Sequence, residues 1–410
     1  MSQSNGPLLA FPHAGFLAHT IRLLEIARVL RDLGHQVLFF SSGKYGRLIR
    51  EAHFTVEEVF CLDPDALMER LRYGDVEFYT QDTYERSVRE EMEIFERYRP
   101  ACVLGDHRWS LRSSTELSGV PYVSILNASW TRFWALPIRP YEHHPLTRAL
   151  GGGRLARRLV SPLVPIAARL FKKAGAREQN RWRAQNGLRK FEVHLESFEG
   201  DLNLLADVPE YSPCRELPAN FHYVGPLPWE PDVPAPDWLR GYRKSRPVVY
   251  VSFGSTGDPR YFPVVLDLLA ERDVDVIVTT GGLAEIASPP PNCRVAELLP
   301  GLAVMAISDL LVCHGGNGTI YQALAAGVPV VGIPTCITQE IEMDQVEHYG
   351  CGVQVSETRF RAGELARAVD RVLEEPGFRA RARLLQPAVR DARGKEAAAR
   401  LVAALVERGV

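Results

Sequence analysis

Residues 310–334 read LLVCHGGNGTIYQALAAGVPVVGIP, and this run predicts a strand, a glycine-rich turn, a helix and a second strand. The apolar residues before His314 are typical of a buried parallel strand. The glycines that follow remove Cβ atoms where a chain turns sharply or approaches a ligand. A helix is then predicted that opens at Asn317 to Thr319 and ends at Ala326, because Ile320 to Ala326 has helical composition and Gly327 is a typical residue just after a helix C-terminus.

The start of this helix is a predicted anion site. Free N–H groups at a helix N-terminus attract a phosphate, and His314 and Thr319 are candidate side-chain donors. His314 would stand at the carboxyl end of a parallel strand, where ligands collect in open α/β sheets. A glycine-rich turn of this kind also serves simply to pack a helix on a sheet, so the run alone leaves both interpretations open.

Length and composition predict a globular enzyme of two domains. The 410 residues exceed one ordinary core, and the apolar share of 46% with a charged share of 24% excludes a disordered or fibrous chain. The net charge of −2 gives no general attraction to nucleic acid. The seven cysteines are scattered, without a pair at metal-ligand spacing. With no basic signal-peptide start and no apolar run that could span a bilayer, we expect a cytoplasmic protein.

An alternation of strands and helices occurs twice along the chain. It runs through residues 1–225, is interrupted by the proline-rich residues 226–240, and restarts in residues 241–410. We therefore predict two doubly wound, Rossmann-like α/β domains that face each other across a cleft.

One stretch differs from this pattern. Between Arg148 and Lys190 the chain is rich in cations and contains a single acid, Glu178. An apolar face of near-helical spacing is formed by Leu155, Leu159, Leu163, Ile166, Leu170 and Phe171. Such a stretch is compatible with weak contact with an anionic membrane surface. The alternative is an ordinary solvated helix face, which Pro162 and Pro165 favour because they break a continuous helix.

Two polar residues are candidates for acid–base chemistry. His19 precedes the first predicted helix, on a loop at the mouth of the N-terminal sheet, and a neutral imidazole there could take a proton from a hydroxyl. Asp106 ends another strand of the same domain, so its carboxylate could orient His19 and stabilise the imidazolium. His13 and His107 compete for these roles, and a purely structural role is the alternative for all four.

Ser255 follows the apolar strand that ends in Gly254, where its hydroxyl and N–H could reach a phosphate. The glycine that a nucleophile elbow requires is missing, and so is the lysine of a P-loop. Polar contact with a ligand is therefore the better prediction for Ser255 than covalent catalysis.

Taken together, these motifs resemble the family 1 glycosyltransferases, the UDP-glycosyltransferase superfamily of the GT-B fold, and within it bacterial macrolide and natural-product enzymes. The resemblance covers nearly the whole chain. It implies that the N-terminal domain binds an acceptor and the C-terminal domain a nucleotide sugar, and that the last helix returns to the N-terminal domain. It includes His19, Asp106, the Val-Ser-Phe-Gly-Ser run that ends at Ser255, His-Gly-Gly-Asn-Gly-Thr ending at Thr319, and Gly-Val-Pro ending at Pro329. The combination of the last two motifs is far more specific than a single glycine loop.

The resemblance implies an inverting transfer from a UDP- or dTDP-sugar, with His19 as the general base and Asp106 as its partner. It implies that no metal is needed, because the helix terminus and hydroxyls offset the charge of the leaving group. Nucleotide and diphosphate contacts fall on Gly254, Ser255, Leu299, His314, Gly316, Asn317, Gly318, Thr319 and Gln322. The donor sugar would contact Thr338 and Gln339.

Several positions depart from the family pattern. Gln322 replaces the glutamate that binds ribose, Leu298 replaces the tryptophan that stacks on the base, and Gly301 replaces a glutamine. Thr338 replaces the carboxylate of the pair that holds the sugar, which favours a deoxysugar or another hexose over glucose. Asp344-Gln345 lies six residues too late to restore that pair. Arg22 stands where the family has a proline.

The acceptor site is predicted in the N-terminal domain, where Trp130, Phe133 and Trp134 suit a flat or lipophilic molecule. Packing in the core is the alternative for these aromatic residues. The leading hypothesis is thus a glycosyltransferase that uses a small hydrophobic acceptor and no cofactor, as a monomer or homodimer. The alternatives are a sugar-nucleotide epimerase of the same fold and a non-catalytic homologue that activates a partner.

Overall fold

A computed structural model describes residues 6–13, 15–73, 79–163, 176–358 and 360–408. Within these residues the N-terminal half forms a parallel sheet of seven strands in the order β3-β2-β1-β4-β5-β6-β7. The strands are β1 (Leu8–Pro12), β2 (Val37–Phe40), β3 (Thr55–Glu57), β4 (Cys102–Asp106), β5 (Tyr122–Leu126), β6 (Leu202–Leu205) and β7 (Phe221–Tyr223).

The C-terminal half forms a second parallel sheet, which repeats this topology with six strands in the order β10-β9-β8-β11-β12-β13. In both sheets the strand order reverses beside the first strand, which creates a switch point between β1 and β4 and another between β8 and β11. The strands are β8 (Val248–Ser252), β9 (Asp275–Thr279), β10 (Cys293–Ala296), β11 (Leu310–Cys313), β12 (Val330–Gly332) and β13 (Gly352–Gln354).

Helices cover both faces of each sheet. In the N-terminal half they are α1 (Leu17–Asp32), α2 (Gly46–Glu51), α3 (Pro64–Tyr73), α4 (Gln81–Tyr98), α5 (Leu111–Ser118), α6 (Pro145–Ala149), α7 (Gly153–Val160) and α8 (Arg177–Gln185). The remaining described helices are α9 (Asp237–Arg240), α10 (Tyr261–Ala270), α11 (Gly301–Ile307), α12 (Asn317–Ala326), α13 (Ile337–His348), α14 (Ala362–Glu374), α15 (Pro376–Arg390) and α16 (Gly394–Arg408).

The strands β1 and β8, which come first along the chain in their sheets, show why the strands are apolar throughout. Side chains of a strand alternate between two faces, and in β1 Leu8 joins one buried cluster while Leu9 joins another. In β8, Val248 and Val249 are divided between two clusters in the same way. Since both faces are covered, each position is buried and an uninterrupted apolar run results. The predicted pair of Rossmann-like domains is confirmed.

The last helix crosses from the C-terminal half to the first sheet. Ala398 and Val402 of α16 pack in the same buried cluster as Ile21 and Leu24 of α1. The crossing passes so close to the linker that a Cβ atom on Gly394 would lie 2.4 Å from the Pro226 carbonyl oxygen. The last helix therefore joins the C-terminal half to the first sheet, beside the start of the linker.

The basic stretch is not uniform. Leu155 and Leu159 of α7 are 66% and 60% exposed. In contrast, Arg157 is buried and pairs with Asp344 of α13 at 2.8 Å, and Arg183 is buried beside Glu116. The predicted apolar positions Ile166, Leu170 and Phe171 lie outside the described residues. None of the described helices is both long and apolar enough to cross a bilayer.

Candidate active site

The predicted site residues gather at the two switch points. His13 directly follows β1 and Asp106 ends β4, beside each other at the edge of the first sheet. Gly254 and Ser255 follow β8, and His314 follows β11, at the equivalent edge of the second sheet. Ligands bind at such positions in open α/β sheets because the loops diverge there and leave a crevice.

His19 and Asp106 are in direct contact. The Nδ1 atom of His19 lies 2.7 Å from Oδ1 of Asp106, and the imidazole is 18% exposed whereas the carboxylate is fully buried. The loop location predicted for His19 is wrong, because α1 begins at Leu17, after an extended Phe16, and places His19 in its first turn. The helix thus fixes the imidazole relative to the strand end more firmly than a loop would.

Arg22, one turn further along α1, binds the same carboxylate. Its Nε donates to Oδ2 of Asp106 at 2.7 Å and its Nη2 donates to Oδ1 at 2.6 Å, a two-pronged ion pair. Burial alone would raise the pKa of Asp106, but the Arg22 guanidinium and His19 outweigh it and hold that pKa well below its usual range. Asp106 is therefore a permanent anion.

The contact with Asp106 favours the tautomer of His19 in which Nε2 can act as a base. A charged carboxylate only accepts hydrogen bonds, so a neutral His19 that bonds Asp106 carries its proton on Nδ1. In that tautomer Nε2 keeps its lone pair and can take a proton from a substrate hydroxyl. Arg22 Nη2, which can only donate, also lies 2.9 Å from Nδ1 and makes no hydrogen bond to it in that tautomer.

Two more histidines surround this pair. The ring of His107 lies 4.5 Å from that of His19, and the ring of His13 lies 5.8 Å away. Burial lowers the pKa of His107 to about 4 and, with the nearby His19, lowers the pKa of His13 well below its usual value. Both are neutral at pH 7 and do not add charge to the site.

A metal ion has a possible set of ligands here, formed by His19, Asp106 and His107. Both oxygens of Asp106, however, already accept hydrogen bonds from the Arg22 guanidinium. A cation at this point would lie beside a fixed positive charge. The residues therefore suit a hydrogen-bonded acid–base pair better than a metal centre.

In the second sheet, the glycines make room for His314. A Cβ atom on Gly254 would lie 2.7 Å from Cε1 of His314, and one on Gly316 would lie 2.5 Å from its Nε2. The imidazole is thus enclosed between the two turns that follow β8 and β11. Gly254 also has a φ of +57°, which disfavours any residue with a side chain.

The helix α12 begins beside this ring as predicted. Its N-terminal residue is Asn317, and Gly316 before it provides no side-chain cap, so the first N–H groups remain available to a ligand. The Nδ1 atom of His314 is buried and has no hydrogen-bond partner among the described residues. Burial lowers the pKa of His314 to about 4, so it acts as a neutral donor or acceptor. Ser255, Gly318 and Thr319 border the same opening and are not fully buried.

Gln322 of α12 contacts the linker. Its Nε2 donates to the Trp229 carbonyl oxygen at 2.8 Å and lies 3.3 Å from Oε1 of Glu230. A Cβ atom on Gly301 would lie 2.9 Å from Oε1 of Gln322. The glycine and the glutamine that depart from the family pattern are therefore neighbours, and the small residue accommodates the amide.

Glu230 brings a carboxylate to this position from the linker. It also accepts a hydrogen bond from the backbone N–H of Leu302 at 2.8 Å, at the start of α11. Burial raises its pKa. Leu299, just before α11, is buried in the core, so only its backbone could reach a ligand, whereas Leu298 is 38% exposed.

The predicted sugar contacts lie at the start of α13. Gln339 is buried, and its Oε1 accepts from the backbone N–H of Thr335 at 2.8 Å, while Thr338 contacts Cys336. Asp344 lies later on the same helix and is used in the ion pair with Arg157. It therefore does not take the place of the missing carboxylate.

A different acid lies one turn beyond Gln339. Glu342 is buried, and Gln345 donates to its Oε2 at 3.2 Å. Burial, with a smaller contribution from Asp207, raises the pKa of Glu342 to about 8. The C-terminal half therefore contains a carboxyl group that is mostly protonated at pH 7.

The three aromatic residues proposed for the acceptor have different surroundings. The Trp130 ring lies 5.0 Å from that of His107, on the side of the acid–base pair. Phe133 packs on Phe221, the Trp134 backbone forms an isolated β-bridge with Cys214, and both side chains pack against the same apolar cluster as Trp130. The apolar cluster that contains Trp130 also contains Phe16, Leu67, Trp109, Phe198 and Ile337. Because Phe16 lies 5.6 Å from His19, this cluster borders the base.

Sequence comparison gives a consistent family assignment. The family described as "Erythromycin biosynthesis protein CIII-like, C-terminal domain" matches residues 263–404. A PGL/p-HBAD biosynthesis glycosyltransferase of Mycobacterium tuberculosis (strain ATCC 25177 / H37Ra) is 34% identical over 387 residues, which cover 93% of this chain and 88% of the relative. A PGL/p-HBAD biosynthesis rhamnosyltransferase of Mycobacterium bovis (strain BCG / Pasteur 1173P2) is 33% identical over 389 residues, or 94% of this chain and 84% of the relative.

A more partial match is to a protein of the same M. bovis strain described as an inactive PGL/p-HBAD biosynthesis glycosyltransferase, 31% identical over 65% of this chain and 72% of the relative. Among solved structures, glycosyltransferase VinC in complex with dTDP superposes with a TM-score of 0.70 at 22% identity, over 98% of this chain and all of that one. The fold is thus shared with natural-product glycosyltransferases. Since close relatives match along nearly its whole length, the chain belongs to the family 1 glycosyltransferases.

Proposed function

We propose that this glycosyltransferase moves a hexose or deoxyhexose from a nucleoside diphosphate to a hydroxyl of a hydrophobic acceptor, with inversion at the anomeric carbon. The observation that carries the proposal is the contact of His19 Nδ1 with Asp106 at 2.7 Å, which leaves Nε2 as a base at the edge of the N-terminal sheet. The second sheet supplies an uncapped helix start at the equivalent edge.

In this mechanism the acceptor hydroxyl gives its proton to Nε2 of His19 as its oxygen bonds to the anomeric carbon. The bond from that carbon to the diphosphate breaks on the opposite face, so the configuration inverts. Asp106 stabilises the imidazolium that forms. The N–H groups at the start of α12 offset the negative charge that develops on the diphosphate, and we propose that the reaction needs no metal ion for this reason.

For the nucleotide, we propose UDP or dTDP, with the ribose or deoxyribose hydroxyls near Gln322 and Glu230. Glu230 restores the carboxylate that the family carries at position 322, since it lies 3.3 Å from the Gln322 amide. For the sugar, Thr338 favours a deoxyhexose such as rhamnose, because a charged acceptor for two hydroxyls is missing. The relative that is described as a rhamnosyltransferase supports this choice.

For the acceptor, we propose an aromatic or otherwise lipophilic alcohol. The apolar cluster around Phe16, Trp109 and Trp130 lies against the histidine pair and offers rings for such a molecule. Two of the relatives are described as enzymes of PGL/p-HBAD biosynthesis, and the structural neighbours include a spinosyn rhamnosyltransferase.

The non-catalytic alternative has one specific comparison in its favour, the relative described as inactive. Thermal shift with UDP, dTDP, GDP and their sugars separates the alternatives, because a ligand that binds the folded state raises the melting temperature. Stabilisation by UDP or dTDP, followed by transfer to a panel of aromatic and macrocyclic alcohols in mass spectrometry, supports the proposal. Nucleotide stabilisation without transfer favours the non-catalytic homologue, and conversion of the sugar nucleotide alone favours the epimerase.

Weak contact with an anionic membrane surface, a cytoplasmic location and a monomeric or dimeric state stay predictions. The exposed Leu155 and Leu159 support the first. Cosedimentation with phosphatidylglycerol vesicles tests it: the Leu155→Ser/Leu159→Ser variant should remain in the supernatant while the wild type pellets. Equal behaviour of the two proteins contradicts the contact through α7.

A further inference from the structure

A chain of buried hydrogen bonds leads from the acid–base pair to the donor half. It begins at Asp106, which Arg22 binds through two nitrogens. The third nitrogen of Arg22, Nη1, donates to Oδ1 of Asn127 at 2.7 Å. Asn127 Nδ2 lies 3.3 Å from both oxygens of Asp207, and the hydroxyl of Tyr321 donates to Oδ1 of Asp207 at 2.8 Å. We call Arg22, Asn127, Asp207 and Tyr321 the relay.

Each member of the relay comes from an element that positions the site. Arg22 lies on α1, one turn after His19, and Asn127 and Asp207 follow strands β5 and β6 of the N-terminal sheet. Tyr321 lies on α12, one turn after Asn317, the first residue of the helix that would hold the diphosphate. The relay therefore joins the two halves at the helix that binds the donor.

The relay is almost completely shielded from water. Arg22 is 6% exposed, Asn127 7%, Asp207 1% and Tyr321 2%. Buried polar groups that lose their partners cost free energy, so the hydrogen bonds constrain the positions of these side chains strongly. Asp207 also accepts from the Ala128 N–H at 2.6 Å, and burial nevertheless raises its pKa.

We propose that the relay sets the position of the His19–Asp106 pair relative to α12, the helix that would bind the donor, and that Arg22 and Tyr321 are positioning residues. This rests on the proposed function. A movement of α12 when the diphosphate binds would displace the Tyr321 hydroxyl, and Asp207, Asn127 and Arg22 would pass the displacement to Asp106. The His19–Asp106 pair would keep its internal geometry, and its position relative to α12 would be adjusted when a donor binds.

A double-mutant cycle tests the coupling. Tyr321→Phe deletes one hydroxyl, and Arg22→Lys keeps the charge but cannot form the fork with Asp106 and Asn127. We expect Tyr321→Phe to lower kcat about tenfold through misplacement of the base, with the acceptor KM changed less than about twofold. The double variant should be no slower than Arg22→Lys alone, because both changes interrupt one relay.

Tyr84→Phe is the matched control, since Tyr84 is also buried and bonds Ser113 at 2.8 Å outside the relay. It should lose a similar amount of thermal stability and keep its kcat. The proposal is overturned if Tyr84→Phe and Tyr321→Phe lower kcat equally. It is also overturned if the fold-losses in kcat of Tyr321→Phe and Arg22→Lys multiply in the double variant, because the relay is then only a structural network.

A second measurement does not depend on transfer. In protein labelled with ¹⁵N-histidine, dTDP or UDP should shift the ring signals of His19, assigned by their loss in His19→Gln, and the shift should disappear in Tyr321→Phe. A wild type that binds nucleotide and shows this shift without any transfer overturns the proposed function but supports the relay. A His19 signal that ignores bound nucleotide, or responds equally in Tyr321→Phe, overturns the relay.

Discussion

The two switch points share one topology and differ in chemistry. At β1 and β4 the site is built on a charged, paired carboxylate: Asp106 is a buried anion, and Arg22 and His19 satisfy both of its oxygens, while Nε2 of His107 beside them is buried without a partner among the described residues. At β8 and β11 the site is neutral and incomplete, with glycines around His314, an uncapped helix start and a buried ring nitrogen without a partner among the described residues.

The difference indicates that the two halves are suited to different parts of the reaction. Charged groups that are already paired have a fixed geometry before any ligand arrives, which suits a base that must be aimed. Donors without partners favour a ligand that brings negative charge, which suits a leaving group. We therefore propose that the N-terminal half is preorganised for proton transfer and that the nucleotide completes the C-terminal half.

The largest effect is expected at the base. His19→Ala should lower the transfer rate by about 10²- to 10⁴-fold, the usual contribution of a general base, and leave the nucleotide Kd unchanged. Initial rates by mass spectrometry and nucleotide titration by calorimetry measure the two quantities. His35→Ala, a histidine after α1 that is remote from the pair, is the control and should behave like the wild type. A loss of nucleotide affinity in His19→Ala would contradict the division between the halves.

The next effect is expected at the glycine turn that encloses His314 before the start of α12. Gly316→Ala places a Cβ atom 2.5 Å from Nε2 of His314 and must displace the ring or the helix start. Nucleotide affinity should fall at least about tenfold, since the donors lose their alignment. Gly377→Ala is a suitable control because nothing lies within 4 Å of its added Cβ atom. Equal affinity of the two variants for UDP and dTDP would show that this ring and turn do not form the nucleotide site.

A smaller effect is expected at the linker carboxylate. Glu230→Gln keeps the shape but removes the charge that would accept from ribose hydroxyls, so nucleotide Kd should rise about three- to tenfold. The exposed Glu374→Gln provides the comparison. Calorimetry with UDP and with UMP measures the change, which should be similar for both ligands because the contact is to the sugar of the nucleoside. An unchanged Kd would return that role to Gln322 alone.

The smallest effect concerns stability and pH. Glu342 has an ordinary pKa of 4.5 when unfolded and a pKa of about 8 when folded, because burial penalises its charge. Between these values the folded state binds more protons than the unfolded state, so this group stabilises the fold less as pH rises. Glu342→Gln should match the wild type near pH 5 and melt a few °C higher near pH 8.5. A difference in melting temperature that does not grow with pH would contradict the buried, protonated acid.

The sequence was sufficient for the architecture because parallel strands buried on both faces leave continuous apolar runs, and Gly327 marked the end of α12 correctly. It was also sufficient to select His19 and Asp106. It could not show their contact, which depends on the pairing of β1 with β4 across about 90 residues of chain.

In the sequence, Arg22 stood out only because the family has a proline at its position. Its role was hidden because its partners Asp106 and Asn127 lie 84 and 105 residues away. Glu230 was missed because the linker was interpreted only from its prolines. Its carboxylate lies 3.3 Å from the Gln322 amide and would supply the charge that the glutamine at position 322 lacks. The acceptor role of Trp130, Phe133 and Trp134 stays a prediction, since all three pack against one apolar cluster.

The central claim, that His19 drives an inverting transfer, is tested most directly by the anomeric configuration of the product. With dTDP-L-rhamnose or UDP-glucose and an aromatic alcohol, proton NMR of the glycoside should show the configuration opposite to that of the donor, and the product should be nearly absent with His19→Ala. Retained configuration, or unchanged product formation without His19, would contradict the account.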